Sequence, residues 1–349
     1  MGSSNRSGYW NDLNSSKYSV TLDLTKPEGR EVANRFVKWA DIVTESNTPG
    51  VMAKFGLDYE SIRQIKPDII MYSASGQGQY GPYARHPMFG HIVVAVSGIN
   101  HFVGWPDLAP VGPYGPWTDF FTPNIIIGMT IAALEYRDKT GKGQYIDAAN
   151  TEAGAYGCLG SSILDLTVNG REQIRMGNRH PLAAPHAAYQ CQGEDRWVDI
   201  AVFTDEEWKA FSRVIGEPDW TREERFATLA GRKENEDDLD RLVQEWTLNY
   251  SPEEVMMLMQ SAGVASGVVQ NARDLHEDAQ LHARGHFWSL DHPETGRSAY
   301  SGAPFRLSKC EPDPKPAPCL GAHNESVLKE CLGYTDAEIA DLAAADAFG

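Results

Sequence analysis

The carboxylate best placed for chemistry is Asp119, in the run Gly112-Pro113-Tyr114-Gly115-Pro116-Trp117-Thr118-Asp119-Phe120-Phe121. It stands just ahead of an apolar segment that reads as a helix, where the positive end of the helix dipole favours a negative charge. Trp117, Phe120 and Phe121 flank it and would strip it of water. A desolvated carboxylate is a stronger nucleophile than a hydrated one, and Asp can form covalent acyl intermediates. The same side chain could equally do no more than help cap the helix, and the pattern alone leaves both roles open. Residues 76–81 read Gly-Gln-Gly-Gln-Tyr-Gly after a predicted strand. A dinucleotide fingerprint needs a helix to begin inside that motif and an acidic residue about 20 positions further on. Pro82 follows at once, and no acid stands near position 100. The motif therefore reads as a glycine-rich loop at the carboxyl end of a strand, which is where α/β sheets hold ligands. No GxSxG elbow, P-loop or HExxH is present. His180 and His186 have a weak metal spacing, and no metal is expected.

The elements that must position these residues alternate in type. Residues 17–24 (KYSVTLDL) put Tyr18, Val20, Leu22 and Leu24 on one face, as a strand does. A helix should run from Lys26-Pro27-Glu28 to Ala40, with Val32, Phe36 and Trp39 as its apolar stripe. Strands are expected at 41–44, at 68–73, where the apolar run suits burial on both faces, and from Gln144 to Ala148. Thr122 and Pro123 read as the N-cap and first residue of a helix reaching about Arg137. That helix is apolar nearly all round, so it is expected deep in the core. Strand–helix alternation implies an α/β layout with a mostly parallel sheet. From about 185 the texture changes. Residues 196–202 form a strand and 205–260 are charged and helical, as in a smaller second domain. A Pro-rich linker (311–322) and a helix over 335–344 close the chain.

Composition narrows the classes. The 349 residues are 42% apolar, enough for a substantial core and too apolar for intrinsic disorder. A net charge of −17 makes nucleic acid an unsuitable partner. An anionic ligand must then be held by local cations and N–H groups against the global field. The five cysteines are widely spaced, with no CxxC, which fits reduced thiols in a cytoplasmic protein. The first ten residues carry no apolar signal-like core, and the longest apolar stretch, near 125–134, is too short to span a bilayer.

Read as a whole, the chain resembles family III CoA-transferases, the group of formyl-CoA and carnitine CoA-transferases. The blocks that carry the resemblance are SVTLDLTKPEGR (19–30), PGVMAKFGLDYESI (49–62), SASGQGQYGPY (73–83), FGHIVVAVSG (89–98), GWPDLAPVGP (104–113), TDFFTP (118–123) and AALEYRDKTGKGQYIDAANTEA (132–153). In the second part they are GEDRWVDIAV (193–202), GVASGVVQNARDL (263–275) and GAPFRLS (302–308). The block 104–113 followed by the TDF core looks most like transferases of benzylsuccinate and similar dicarboxylates.

The resemblance implies a Rossmann-like, mostly parallel large domain with a smaller α+β domain. It divides the chain into 1–184 (large, CoA-binding), 185–300 (small) and 301–349 (linker and returning helix). It also implies an interlocked homodimer that uses coenzyme A thioesters as substrates. Asp119 matches the family's catalytic Asp. In that mechanism the carboxylate attacks an acyl-CoA, forms a mixed anhydride, takes up the CoA thiolate as an aspartyl-CoA thioester, and passes CoA to an acceptor acid. Lys54 falls where relatives place an Arg toward CoA. Ser46 and Asn47 stand where relatives carry Asn-Phe near the adenine. Gly76 and Gly78 of the glycine-rich loop, and the loop from His180 to His186, are candidate oxyanion donors. The related α-methylacyl-CoA racemases pair a His with an Asp to exchange an α-proton. Counting back from Ser97-Gly98 places that His nearer Phe89 than His91, so Phe89 and His91 are expected to line the pocket. Relatives also carry a strand–helix–strand unit ahead of this region, where the 16 residues before Lys17 are polar and Gly/Ser-rich. Truncation, a piece supplied by a second subunit, or loss of the unit would each account for it. A non-catalytic CoA-binding partner subunit is the reading from another functional class.

Overall fold

The computed structural model describes residues 4–349; residues 1–3 lie outside it. In chain order the elements are α1 (Gly8–Leu13), α2 (Pro27–Trp39), β1 (Ile42–Glu45), α3 (Val51–Lys54), α4 (Tyr59–Ile65), β2 (Ile70–Ser75), α5 (Gly90–Val96), α6 (Ile99–Phe102) and α7 (Trp117–Thr140). There follow β3 (Gln144–Ala149), α8 (Asn150–Gly154), α9 (Gly160–Asn169), β4 (His186–Gln190), β5 (Trp197–Ala201), α10 (Asp205–Val214), α11 (Leu229–Glu234), α12 (Glu236–Thr247) and α13 (Pro252–Ser261). The chain ends with β6 (Ala265–Val268), α14 (Ala272–Glu277), α15 (Ala279–Ala283), β7 (Phe287–His292), β8 (Gly296–Ser301), α16 (Asn324–Leu332) and α17 (Asp336–Ala344). It divides into two compact units: residues up to 101, 112–173 and 279–349 form the first, and residues 102–111 and 174–278 the second.

The first unit is α/β. Its sheet is parallel in the order β1-β2-β3, with Ile42 opposite Ile70 and Ile70 opposite Gln144. Buried Ile70 and Met71 of β2 belong to the apolar run that the sequence marks for a central strand. Ala33, Val37, Leu57, Ile62, Ile69 and Met71 form one core beneath it, and α16 and α17 close a second against α2 through Val32, Leu328, Tyr334 and Leu342. The antiparallel hairpin β7–β8 completes the unit. Asn11 and Asp12 of α1 bond it through Thr295 Oγ1 and the Ser301 N–H.

Three expectations about this unit need correction. Residues 17–24 are extended but pair with no strand. Their N–H groups are taken by distant groups instead: Ser19 donates to His323 Nδ1, Thr21 to Asn324 Oδ1 and Asp23 to the Ala347 carbonyl. The alternation still turns Val20 and Leu22 toward α2, α16 and α17, so the inward face is as read while the hydrogen-bond partner is not. The helix expected from Thr122 starts at Trp117 and runs through Pro123. Pro123 has no N–H to offer the carbonyl four residues back, which belongs to Asp119, so the helix gives up one interior bond and continues past it. Finally, α7 is not deep in the core. Only Thr118, Thr122, Ile126 and Ala133 are buried, whereas Ile127, Met129 and Ile131 are each more than half exposed.

The second unit packs α10–α13 on an antiparallel sheet in the order β4-β5-β6. Tyr189, Val198, Ile200, Trp208, Phe211, Phe226, Leu239, Val243 and Met259 form a closed core. Arg232 is fully buried inside it, and each of its three nitrogens has an acceptor: Nε donates to the Ala184 carbonyl (2.9 Å), Nη1 to the Phe226 carbonyl (3.3 Å) and Nη2 to Asp205 (3.3 Å). Its guanidinium also lies 4.8 Å from the Trp208 ring centre. Burial lowers its pKa, and Asp205 opposes the shift.

Candidate active site at the carboxyl edge of the parallel sheet

The three parallel strands of the first unit end side by side, and the residues at or just past their carboxyl ends turn into one cavity of about 370 Å³. They are Ser46 after β1, Ser75 and Gly76 at β2, and Asn150 after β3. That is the edge at which open α/β sheets bind ligands, because there the strand-to-helix connections leave polar groups facing a crevice. Across the cavity stands α7, with Asp119 in its first turn, together with Phe89 and Gly90 from the start of α5.

Each wall has a local cause. The loop after β2 is pinned to β3: the Gln79 N–H donates to both carboxylate oxygens of Asp147 (3.0 and 3.1 Å), and Thr151 donates to the Gly76 carbonyl through its N–H (3.0 Å) and hydroxyl (2.7 Å). Gly78 has φ +81° beneath that carboxylate, a conformation side-chain-bearing residues avoid. Gly90 is required for a different reason. A Cβ there would lie 1.9 Å from Pro116 Cβ and 2.7 Å from Asp119 Oδ2, so only glycine lets α5 begin against the carboxylate.

Asp119 accepts a hydrogen bond from Asn150 Nδ2 at Oδ1 (3.3 Å). Partial burial pushes its carboxyl above the ordinary value; the adjacent Thr118 hydroxyl, which makes no hydrogen bond of normal geometry, opposes the rise. The side chain therefore stands open to the cavity, with one neutral donor and no ion pair among the described residues. Trp117 and Phe121 stack with rings 5.7 Å apart on the same helical turns, and Phe120 meets Tyr9 edge-on at 6.3 Å. Two hydroxyls of the lining, Ser75 Oγ and Thr122 Oγ1, are buried without a partner.

Of the residues singled out in the sequence, Ser46, Gly76, Phe89 and Asp119 line this cavity. Gly78 belongs to the pinned loop rather than the lining. Asn47, Lys54 and His91 do not line it. The Asn47 N–H donates to Glu45 Oε2 (2.7 Å) and its amide to Met52 Sδ (3.6 Å). Lys54 ends α3 in solvent and pairs with no acid among the described residues, and His91 is exposed on α5. His180 and His186 lie in the second unit, 5.3 Å apart at their ring centres and both against Phe203. Asn150, Gly90, Ser75 and Thr122 lie within the blocks that carry the resemblance, yet nothing in those blocks singles them out for the site. The available signal was positional, since Ser75 and Asn150 are the residues at which β2 and β3 run out. Among the described residues no cluster of His, Cys, Asp or Glu is placed to hold a metal, and no helix is long and apolar enough to cross a membrane.

An α/β unit with a carboxylate facing a crevice at the carboxyl edge of a parallel sheet has its candidate site where such folds bind their ligands. Residues 1–324 match CoA-transferase family III, and the chain belongs to that family. It is 31% identical over 340 residues to succinyl-CoA–D-citramalate CoA-transferase of Chloroflexus aurantiacus, covering 97% of this chain and 84% of the relative. It is 30% identical over 340 residues to the beta subunit of succinyl-CoA–L-malate CoA-transferase from the same organism, covering 95% and 83%. The crystal structure of a CaiB/BaiF family protein from Brucella suis superposes with a TM-score of 0.86 at 30% identity, over 93% of this chain and 84% of that one.

Proposed function

We propose that this protein moves CoA from an acyl-CoA thioester to a free dicarboxylic acid, with Asp119 as the nucleophile. The observation that carries it is the placement of Asp119. In a chain of this family, it is the carboxylate that the sheet edge, α5 and α7 converge on, and it faces the cavity with its pKa raised by partial desolvation. Asp119 Oδ attacks the acyl carbon, CoA thiolate leaves, and a mixed anhydride forms. The thiolate then attacks the Asp119 carboxyl carbon and releases the acid, leaving an aspartyl-CoA thioester. The acceptor carboxylate reverses these steps and departs as its CoA ester. Dividing one exchange into successive acyl transfers is the advantage of covalent catalysis. Succinyl-CoA is the donor in the names of the two Chloroflexus relatives, and malate and citramalate are the acceptors. A succinyl donor with a hydroxylated dicarboxylate acceptor is therefore the first pair to test.

CoA's phosphates need local cations in a chain of net charge −17. The unpaired Lys54 is proposed for that role, with Ser46 and Asn47 toward the adenosine end. We further propose a cytoplasmic, interlocked homodimer. The exposed apolar face of α7 supports it, since single chains rarely leave such a face to water. A panel of acyl-CoA donors and acids, followed by mass spectrometry, tests the activity. Transfer that is lost in Asp119→Ala and inactivated by hydroxylamine only during turnover is the expected result. Full activity in Asp119→Ala would overturn it.

A further inference from the structure

With Asp119 as the nucleophile, the two oxygens of its carboxylate are not equivalent. Oδ1 faces the amide of Asn150 at 3.3 Å, whereas Oδ2 faces the space left by the missing side chain of Gly90. We propose that Asn150 is the oxyanion donor for the covalent intermediate. Oδ2 is then the attacking oxygen, and Oδ1 remains the carbonyl oxygen throughout.

The chemistry follows from this geometry. When CoA thiolate attacks the Asp119 carboxyl carbon of the anhydride, a C–S bond forms and the carbonyl π pair moves onto Oδ1. Collapse of that oxyanion breaks the bond from the carbon to Oδ2 and expels the donor acid as its carboxylate. In the second half, the acceptor carboxylate adds to the same carbon, the charge again resides on Oδ1, and CoA thiolate leaves. Both tetrahedral species concentrate negative charge on the atom that the Asn150 N–H already addresses. A neutral side-chain amide in that position stabilises the charge as it develops and needs no proton transfer. The 3.3 Å separation in the free protein is long, as such bonds often are before the reacting species forms.

Placement gives the donor its rigidity. Asn150 is the first residue of α8, directly after β3, and its neighbour Thr151 is tied twice to the Gly76 carbonyl. A π-helical turn over Ala155–Leu159 follows, an irregularity frequent near functional sites. The orphaned hydroxyls of Ser75, beside Asn150 at the sheet edge, and of Thr122, across the cavity on α7, independently mark the lining as one that expects a ligand oxygen.

The proposal makes a step-specific prediction. Asn150 assists the two additions to the Asp119 carboxyl carbon, but not the initial attack of Asp119 on the acyl-CoA. Asn150→Ala should lower kcat by about 10²–10³-fold, the usual loss for one such donor. KM and the Kd for a non-hydrolysable acyl-CoA analogue should stay within a few-fold. In single-turnover mixing with donor alone, the CoA adduct on Asp119 should appear slower by the same factor. Asn150→Gln, which keeps the amide, should recover part of the rate. Retention of kcat within threefold in Asn150→Ala would overturn the proposal. So would a loss of analogue binding that matches the loss of rate, since that marks a purely structural role. Asp119→Ala, run alongside, separates this inference from its premise. If Asp119→Ala is inactive and Asn150→Ala is normal, only the donor assignment fails. If Asp119→Ala is active, the premise fails with it.

Discussion

The two units treat apolar side chains in opposite ways. In the second unit, α10 buries Trp208, Ala210 and Phe211 on one face and gives its other face to Asp205, Glu206 and Lys209. α12 does the same with Leu239 and Val243, and Thr204 and Ser251 start α10 and α13 with reciprocal capping boxes. The apolar stripes of α10 and α12 find their partners within the unit. In the first unit, α7 is apolar on nearly all sides, yet Ile127 and Ile131 remain 57% and 62% exposed. The helix that carries Asp119 thus leaves apolar side chains uncovered by this chain, as α9 does with Leu164 and Val168. A hydrophobic stripe and a hydrophobic cylinder are both signs of burial, but only the stripe says that burial is complete within one chain.

The largest effect that would test this contrast is in the closed core. Phe211→Ala should cost about 3–5 kcal/mol, because the buried ring leaves a cavity that the surrounding helices cannot fill. Chemical denaturation measures it, and a loss below about 1 kcal/mol would mean the core is not closed. On α7 the same kind of truncation should behave differently. Ile131→Ala should change the stability of an isolated chain by no more than about 0.5 kcal/mol, as at other exposed positions. Ile127→Asp combined with Ile131→Asp should shift the solution mass toward a monomer, read by sedimentation. A dimer of unchanged mass would place the contact elsewhere.

The smallest effect is in the titration of Asp119. Its pKa is raised by desolvation, so the carboxylate form that attacks a thioester is lost as pH falls through a value above that of an ordinary aspartate. The acid limb of kcat/KM should be displaced upward accordingly. The linkage has the matching sign. A raised carboxyl pKa means that the folded chain is penalised for ionising Asp119, so Asp119→Asn should be slightly stabilising at neutral pH. That gain should vanish once the pH falls below the ordinary value, where the wild-type carboxyl is protonated both folded and unfolded. A stabilisation that grows on acidification would contradict the desolvated site.

How much of this was legible in the sequence depended on whether the signal was local. The β2 strand showed itself because a run such as DIIMYS can satisfy both faces of a parallel sheet only by burial. For Asp119 the aromatic neighbours left two roles open, and the family resemblance rather than the local pattern singled it out; Trp117, Phe120 and Phe121 themselves do not line the cavity. Residues 17–24 showed the right face and the wrong partner, because alternation reports which side is buried and not whose atoms take the N–H groups. Here the takers are His323, Asn324 and Ala347, some three hundred residues away. For α7 the composition was read correctly and the conclusion drawn from it failed, since an all-apolar helix looks the same whether its own chain or another covers it. Pro123 misplaced the helix start because proline is commonest in the first turn, whereas here it stands inside the helix at the loss of one backbone bond. Asn150 was invisible. A single Asn after a strand carries no periodicity, and its importance exists only once β3 and α7 bring it to Asp119.

The central claim is that Asp119 becomes covalently loaded with CoA. Incubating the intact protein with succinyl-CoA and no acceptor, then quenching in acid and mapping peptides by mass spectrometry, tests it most directly. A CoA thioester on the peptide containing Asp119, discharged by added acceptor acid and absent from Asp119→Ala, is the predicted result. Transfer that proceeds with no adduct at Asp119, or with the adduct on another residue, would contradict it.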